Sequence, residues 1–223
     1  MILPAPYYQD EATTLYCADC RDILPLLPKV DLVLTDPPYG VDGGRGGDSK
    51  KHGKAKYSAD FIDNEKYMVG TIIPTIPICR MISNRMIITP GKRYMSLYPP
   101  PDDIGCFWTP AASNHGPWGF STFNPILYYG KDPRGGKCAT PSGIQVTEQS
   151  EKNGHPCPKP IKFWLWLLNK GSVEDTDTIL DPFAGSGTTL VAAKQLGRKA
   201  IGIEISEAYC AIARKRLSQE YLL

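Results

Sequence analysis

Residues 178–206 read TILDPFAGSGTTLVAAKQLGRKAIGIEIS, and they carry the clearest structural signal in the chain. Short apolar stretches alternate with a glycine-rich turn and a longer alanine-rich stretch, which predicts strands and helices in alternation. The predicted elements are a strand at Thr178–Leu180, a helix at Thr188–Gln195 that stops at Gly197, a strand at Ala200–Ile205 and a helix at Glu207–Gln219. This order predicts an α/β fold with a mostly parallel sheet and helices on both faces.

The N-terminal part of the chain also alternates between strand-like and helix-like segments. Val30–Thr35 reads as a buried strand that ends at Asp36, because the two prolines that follow cannot continue a central ladder. A helix is expected around residues 61–82, interrupted by its two prolines. Residues 91–154 look irregular, apart from one strand candidate at residues 126–129.

The composition is that of an ordinary globular domain, since 42% of the 223 residues are hydrophobic and 22% are charged. We therefore expect one domain over residues 1–223, with residues 91–154 as an irregular insert. The net charge of +2 is too small to indicate a nucleic-acid partner by itself. No apolar run approaches the roughly 18 residues of a membrane span, and the first residues lack a signal-peptide pattern. A cytoplasmic protein without a membrane partner is expected.

The seven cysteines are expected to be reduced thiols in a chain without an export signal. Cys17 and Cys20 form a lone C-x-x-C pair, whereas a zinc site needs a second close pair of ligands. His155 and Cys157 are near each other in the sequence, but two ligands do not complete a site. No metal site is predicted.

The glycine-rich turn, Asp181–Thr189, lies between a predicted strand and a predicted helix. Glycines let a ligand approach the backbone there, and a helix N-terminus favours anionic groups. A P-loop would need a lysine after Gly187, and a dinucleotide fingerprint would need glycine or alanine in place of Leu190. Glu204, about 20 positions after Gly185, is where an acidic side chain accepts bonds from ribose hydroxyls. The pattern favours a nucleoside ligand with a carboxylate; a crossover turn without a ligand is the alternative.

The tetrapeptide Asp36-Pro37-Pro38-Tyr39 ends the strand in an acceptor, two rigid residues and an aromatic ring. Proline fixes its own φ and disfavours the helical region for the residue before it, so Asp36 and Pro37 are held extended. The Asp36 carboxylate and the Pro37 carbonyl can then converge on one donor that has two N–H groups, such as an exocyclic amine. Tyr39 offers a flat face on which a base can stack. A strand end with a proline turn and a surface tyrosine is the alternative.

Four motifs together resemble the S-adenosylmethionine-dependent DNA methyltransferases that modify exocyclic amino groups. They are DPPY at 36–39, HPCPKP at 155–160, DPFAGSGTT at 181–189 and IGIEIS at 201–206. Their order, with the catalytic motif first and the cofactor loop last, resembles the β group of that family. This resemblance implies a circularly permuted Rossmann-like methyltransferase fold. The alternatives are a methyltransferase for protein glutamine amides, a non-catalytic DNA-binding regulator and a nicotinamide oxidoreductase.

The resemblance implies S-adenosylmethionine as the cofactor. The residues that it implies for the methionine pocket, the ribose and the adenine are Asp181, Phe183, Gly185, Gly187, Thr188, Glu204, Asp19 and Cys20. Thr188 and the helix N-terminus would hold the methionine carboxylate, and Glu204 would hold the ribose hydroxyls. His155 and Lys159 would lie at the start of the helix beside the cofactor. A turn or capping role is the alternative for His155.

The same resemblance implies that Asp36, Pro37, Pro38 and Tyr39 form the catalytic motif and act on a base flipped out of DNA. Family members with Asp at the first position mostly methylate adenine at N6, whereas those with Ser mostly methylate cytosine at N4. We therefore expect adenine, with cytosine as the alternative. Asp36 would orient the amine and stabilise its developing positive charge.

A basic, glycine-rich loop follows the catalytic motif over Asp42–Lys56, and we expect it to neutralise DNA phosphates. Its basic residues are Arg45, Lys50, Lys51, Lys54 and Lys56. The chain leaves little room for a separate target-recognition domain, so residues 91–154 are expected to form a reduced one. A homodimer and a bacterial or phage restriction-modification setting fit this size.

Overall fold

A computed structural model describes residues 2–40, 63–109, 115–116, 118–136, 140–147, 159–173 and 176–219. Within these residues the chain folds around one large sheet. The strands are β1 (Tyr8–Gln9), β2 (Thr13–Cys17), β3 (Val30–Thr35), β4 (Ser83–Ile88), β5 (Asp103–Trp108), β6 (His115–Gly116), β7 (Gly119–Phe120), β8 (Phe123–Tyr129), β9 (Ile144–Gln145), β10 (Thr178–Asp181) and β11 (Lys199–Glu204). The helices are α1 (Cys20–Ile23), α2 (Glu65–Tyr67), α3 (Ile73–Ile82), α4 (Ile161–Gly171), α5 (Thr188–Gln195) and α6 (Glu207–Leu217).

The large sheet has the strand order β1-β2-β11-β10-β3-β4-β8-β5-β9, and β6 pairs with β7 in a separate hairpin. The five consecutive strands β2-β11-β10-β3-β4 are parallel to one another. Strand β8 is antiparallel to both β4 and β5, and β1 is antiparallel to β2. The predicted α/β architecture with a mostly parallel sheet is confirmed.

Alternate residues of the central strands pack into two helical layers, one on each face. In β3, Leu32 and Leu34 belong to an apolar cluster that contains Phe163 of α4 and buried residues of α5 and α6. Val33, which points the other way, belongs to a second cluster with Ile72 and buried residues of α1 and α3. Strands buried on both faces read as apolar runs rather than alternating ones, which is why VDLVLT was recognisable.

The two strands at the middle of the sheet are distant in sequence. Strand β3 pairs with β10 through Leu32↔Ile179 and Val33↔Leu180. From β10 the chain continues to β11 on one side, whereas from β3 it continues to β4 on the other. A crevice opens at the carboxyl ends of two such strands, and ligands of open α/β sheets bind there. The DPPY motif and the glycine-rich turn, which occur at opposite ends of the sequence, therefore leave the sheet side by side.

The prediction of an interrupted helix around residues 61–82 needs correction. The helical segment 65–82 is not interrupted at its prolines, because α2, a π-helical turn at Met68–Ile72 and α3 follow one another directly. Pro74 lies in the first turn of α3, where a missing N–H costs little, and Pro77 is kept inside the helix. The apolar stripe of Met68, Ile72, Ile76 and Cys79 is fully buried and holds this segment on the sheet.

The prediction of an irregular stretch over residues 91–154 is wrong for strand β5, whereas the one strand candidate, at residues 126–129, is confirmed as part of β8. Strand β5 has no period-two pattern, since its sequence is DIGCFW. It is stabilised by six residue pairs with β8, and Phe107 stacks on Phe163 with ring centroids 4.5 Å apart. Pairing partners remote in sequence, rather than local propensity, make this segment a strand.

Candidate functional site

The carboxyl ends of β3 and β10 are joined by a buried hydrogen bond. Thr35 Oγ1, at the end of β3, donates to Asp181 Oδ1, at the end of β10, over 2.7 Å. The same Asp181 oxygen accepts the backbone N–H of Phe183 at 3.1 Å. Burial raises the pKa of Asp181 to about 6, although its hydrogen bonds oppose the shift. This contact holds the DPPY motif and the glycine-rich turn against each other.

The Asp36 carboxylate, one residue beyond Thr35, accepts hydrogen bonds from three side chains. Oδ1 accepts from Thr89 Oγ1 at 2.5 Å and from the Tyr39 hydroxyl at 2.6 Å. Oδ2 forms an ion pair with Lys159 Nζ. Thr89 follows β4, the neighbour of β3, and Lys159 precedes α4, so three segments converge on one carboxylate. The Asp36 side chain keeps 25% of its surface exposed and is reachable from the crevice.

Tyr39 is held at both its hydroxyl and its ring. Lys159 Nζ donates to the hydroxyl at 2.6 Å and lies 5.1 Å from the ring centroid, which puts the ammonium at the hydroxyl edge rather than over a face. Gly91 packs against the ring, because a Cβ added there would lie 2.7 Å from Tyr39 Cγ. Burial and the nearby Asp36 raise the pKa of Tyr39 well above its usual value. The hydroxyl therefore acts as a neutral donor to Asp36.

The glycine-rich turn needs glycine at two positions for different reasons. Gly185 and Gly187 both have positive φ, at 50° and 78°. A Cβ at Gly187 would lie 2.9 Å from Ala213 Cβ in α6, so α6 approaches the turn too closely for a side chain. A Cβ at Gly185 would meet no atom within 4 Å. The turn therefore has open space beside Gly185, where a ligand can lie against the backbone.

Glu204 lies at the end of β11 and faces the same turn. One carboxylate oxygen accepts the N–H of Gly185 and the other accepts the N–H of Ser206, each at 2.8 Å. The side chain is largely buried, and burial raises the pKa of Glu204 above its usual value. A carboxylate offers about four lone-pair sites, so these two bonds do not use all of its acceptor capacity. A hydroxyl donor such as that of a ribose fits the acceptor capacity that remains.

A buried arginine that the sequence analysis did not single out supports the turn. Arg216 Nη1, from the last turn of α6, donates to the Ser186 carbonyl at 2.8 Å and to Thr188 Oγ1 at 2.9 Å. Thr188 is the first residue of α5, directly after Gly187. The guanidinium places a positive charge at this helix N-terminus, which makes the turn more favourable for an anionic group.

The remaining residues predicted for the cofactor are arranged less uniformly. Asp19 caps α1 through the Arg21 N–H and forms an ion pair with the Arg21 guanidinium at 2.5 Å. Cys20 is buried and turns its sulfur towards Thr75 Oγ1, 3.9 Å away. Phe183 is half-buried against the α1–α3 layer. Lys159 bonds to Asp36 and Tyr39 instead of the glycine-rich turn. Of the residues predicted for the cofactor, Lys159 therefore contacts Asp36, and Gly185 contacts Glu204.

Several predicted residues lie outside the described part of the chain. They are His155 and the basic residues Arg45, Lys50, Lys51, Lys54 and Lys56. Over the described ranges, no group of three potential metal-ligating side chains comes together. No helix there has the length and apolar character needed to cross a membrane.

Thr35, Thr89, Gly91 and Arg216 were missed by the sequence analysis. Thr89-Pro90-Gly91 follows a strand much as Asp36-Pro37 does, and a polar residue before proline at a strand end is the signal that could have identified it. Parallel pairing of β3 with β4 then brings the two strand ends together, with the Thr89 N–H donating to the Thr35 carbonyl at 3.1 Å. No local signal marks Arg216, which lies on a helix with two other basic residues in its last turn.

Comparisons with known proteins agree with this geometry. A family model described as DNA methylase, covering enzymes of the N6 and N4 type, matches residues 90–215. A curated relative, the type II methyltransferase M2.LlaDCHI of Lactococcus lactis subsp. cremoris, is 49% identical over 76 residues. That match covers 33% of this chain and 28% of the relative, so the chain spans little more than a quarter of the relative's length.

Solved structures resemble the whole fold. A complex of M1.HpyAVI with SAM has a TM-score of 0.68 at 22% identity and covers 93% of this chain and 100% of its own. The PvuII DNA methyltransferase, described as cytosine-N4-specific, has a TM-score of 0.69 at 17% identity and covers 98% of this chain and 90% of its own. At these identities the likeness establishes the fold.

Proposed function

The chain belongs to the N6/N4 DNA methylase family, and on that premise we propose that it transfers a methyl group from S-adenosylmethionine to an exocyclic amino group of DNA. The observation that carries this proposal is the Thr35–Asp181 hydrogen bond, which holds Asp36 beside the glycine-rich turn. An acceptor for an amine and the open space beside Gly185 then share one crevice. A non-catalytic DNA-binding protein would need neither.

The cofactor proposal rests on the open space at Gly185 and on the acceptor positions of Glu204. Glu204 would hold the ribose hydroxyls, and Asp181, Phe183, Gly185 and Gly187 would shape the methionine pocket. Thr188, the helix N-terminus and the charge of Arg216 would hold the methionine carboxylate. When bound, the cofactor supplies a methyl group that its sulfonium makes electrophilic.

The protein's chemical task is to make a poor nucleophile attack. The lone pair of an exocyclic amine is delocalised into the base, which makes the nitrogen a poor nucleophile. The nitrogen gains positive charge as its bond to the methyl group forms, and it becomes neutral again when one N–H proton leaves. Asp36 accepts an N–H bond from that amine, which orients the nitrogen and stabilises the growing charge. Thr89 and Tyr39 hold the carboxylate in place, so little reorganisation is needed during the reaction.

We propose adenine N6 as the acceptor, because Asp36 occupies the first position of the motif. The second candidate is cytosine N4, and the fold likeness to a cytosine-N4-specific enzyme favours keeping it. Either base would have to leave the duplex to reach Asp36, because only 25% of that side chain is exposed. The basic loop at 42–56, a homodimer and a cytoplasmic setting stay predictions.

Sequencing the DNA of cells that express the protein, with separate detection of N6-methyladenine and N4-methylcytosine, tests the proposal. N6-methyladenine in one short sequence context, present with the wild type and absent with Asp36→Ala, is the expected result. Detection of N4-methylcytosine alone would identify cytosine N4, rather than adenine N6, as the methyl acceptor. If neither methylated base is detected although the protein binds S-adenosylmethionine, the proposal of DNA methylation is contradicted.

A further inference from the structure

Among the described residues, Lys159 is the one cation bonded to the proposed catalytic carboxylate, Asp36. Each of the two side chains keeps one hydrogen-bonding position unused. Asp36 Oδ1 already accepts two hydrogen bonds, whereas Oδ2 accepts one, from Lys159. A carboxylate has about four lone-pair sites, so the remaining acceptor position is on Oδ2. The Lys159 ammonium has three N–H donors, of which Asp36 and Tyr39 take two.

The open acceptor and the spare donor are adjacent, because Oδ2 and Nζ are in direct contact. Both side chains reach the crevice, with 25% of Asp36 and 11% of Lys159 exposed. Tyr39 is in contact with the same ammonium, and Gly91 occupies one face of its ring, so a stacked base is directed to the other face. The site therefore offers an acceptor next to a donor at the edge of a stacking surface.

We propose that the Asp36–Lys159 ion pair reads the Watson–Crick edge of the target base, with Asp36 accepting from the exocyclic amine and Lys159 donating to the neighbouring ring nitrogen. Adenine presents N6–H beside N1, and cytosine presents N4–H beside N3, so both match this pattern. Guanine and thymine present a carbonyl beside an N–H, which is the reverse order and leaves both protein groups unpaired. Lys159 is thereby a specificity-determining residue that selects amino bases over keto bases.

This inference rests on the proposed function and deepens it. It also explains why this contact cannot separate adenine from cytosine, since the two bases share the same edge pattern. Discrimination between a purine and a pyrimidine must come from other walls of the pocket.

The test changes one atom of the base. Duplexes carry the target site found by sequencing, with adenine, 1-deazaadenine or 7-deazaadenine at the methylated position. The first analogue lacks the ring nitrogen beside the amine, and the second keeps it. Wild-type kcat/KM should fall about 10- to 100-fold for 1-deazaadenine, the usual range for a hydrogen bond to a charged group, and should change little for 7-deazaadenine.

The matched variants are Lys159→Met and Lys170→Met. Lys170 lies in α4 and donates to the carbonyls of Thr140 and Pro141 rather than to Asp36, so its loss is the same chemical change at a distance from that carboxylate. Lys159→Met should lose activity on adenine and should discriminate less than about threefold between adenine and 1-deazaadenine. Lys170→Met should discriminate as the wild type does. Equal discrimination by Lys159→Met and wild type would overturn the inference, because an intrinsic effect of the analogue would then explain it.

A binding measurement separates this inference from the proposed function. The same bases are placed opposite an abasic site, and duplex affinity is measured with S-adenosylhomocysteine present, so that no transfer is needed. A preference for adenine over 1-deazaadenine that Lys159→Met removes supports the inference, even if no DNA is ever methylated. Methyl transfer with equal use of both bases by the wild type would uphold the function and overturn the inference, whether or not the variant folds.

Discussion

The Asp36 side and the Glu204 side of the crevice hold their carboxylates in different ways. Asp36 depends on side chains 3, 53 and 123 positions away, namely Tyr39, Thr89 and Lys159. Glu204 depends on the backbone N–H groups of Gly185 and Ser206. Any sequence that adopts the glycine-rich turn supplies the second arrangement, whereas each donor of the first must be supplied residue by residue. We infer that the Asp36 side carries the reaction's specificity and that the Glu204 side carries a general nucleoside site.

The largest effect should come from Asp36→Ala. We expect methyl transfer to fall by on the order of 10³-fold or more, because the group that stabilises the developing charge is lost. S-adenosylmethionine affinity should stay within a few fold, since Asp36 is assigned to the amine. Transfer of tritiated methyl groups and calorimetry check the two quantities. A variant that still methylates DNA would remove Asp36 from its catalytic role.

On the Glu204 side, alanine variants of the two glycines in the turn can be compared directly. Gly187→Ala should destabilise the protein by about 2 to 5 kcal/mol, since it adds a contact with Ala213 to the cost of a positive φ. Gly185→Ala has the φ cost but no clash, so about 1 to 2 kcal/mol is expected. Denaturant unfolding measures both. Equal losses of stability in the two variants would mean that α6 does not constrain the turn.

The buried Asp181 between the two sides should make stability depend on pH. Burial raises its pKa from 3.8 to about 6, so the folded state binds a proton more tightly than the unfolded state. The stabilisation from the Asp181 carboxyl is greatest below about pH 4. As the pH rises through 6 this stabilisation is lost, and the free energy of unfolding falls by about 3 kcal/mol. Unfolding measured from pH 4 to 7.5 should show this fall in wild type and a smaller one in Asp181→Asn. Parallel profiles for the two proteins would contradict it.

Glu204→Ala should show the opposite behaviour to Asp36→Ala. Loss of charge-assisted bonds to the ribose should weaken S-adenosylmethionine binding by about 1 to 3 kcal/mol. At saturating cofactor the transfer rate should stay within about tenfold of wild type, because the amine acceptor is intact. Titration calorimetry and rate measurements at several cofactor concentrations separate the two. Unchanged affinity would remove Glu204 from the ribose site.

Tyr39→Phe should have the smallest effect. It removes one of the two donors to Asp36 Oδ1 but keeps the ring against Gly91, so a rate reduction of about 2- to 10-fold is expected. Tyr39→Ala, which also removes the stacking face, should lose more, chiefly in DNA affinity. Single-turnover kinetics compare the two variants. A larger loss with phenylalanine than with alanine would contradict a stacking role.

Sequence patterns predicted the elements around the glycine-rich turn to within two residues. The helix at Thr188–Gln195 and the strand at Val30–Thr35 have the predicted bounds, and β10, β11 and α6 differ only at their ends. Burial on both faces and glycine punctuation are properties of neighbouring residues, so they can be read locally. Strand β5 was missed because its stability comes from β8 and Phe163, which a local pattern does not contain.

The sequence by itself determined which segments alternate as strand and helix, where the chain turns at Gly185 and Gly187, and that Asp36 and Glu204 end strands. These features depend on φ preferences and apolar periodicity over a few residues. Only the tertiary structure decided that Thr35 bonds to Asp181 and that Thr89 and Lys159 hold Asp36. Those partners come from separate strands and helices. They meet because the strand order β10-β3-β4 brings three strand ends together, and no short-range pattern encodes that order.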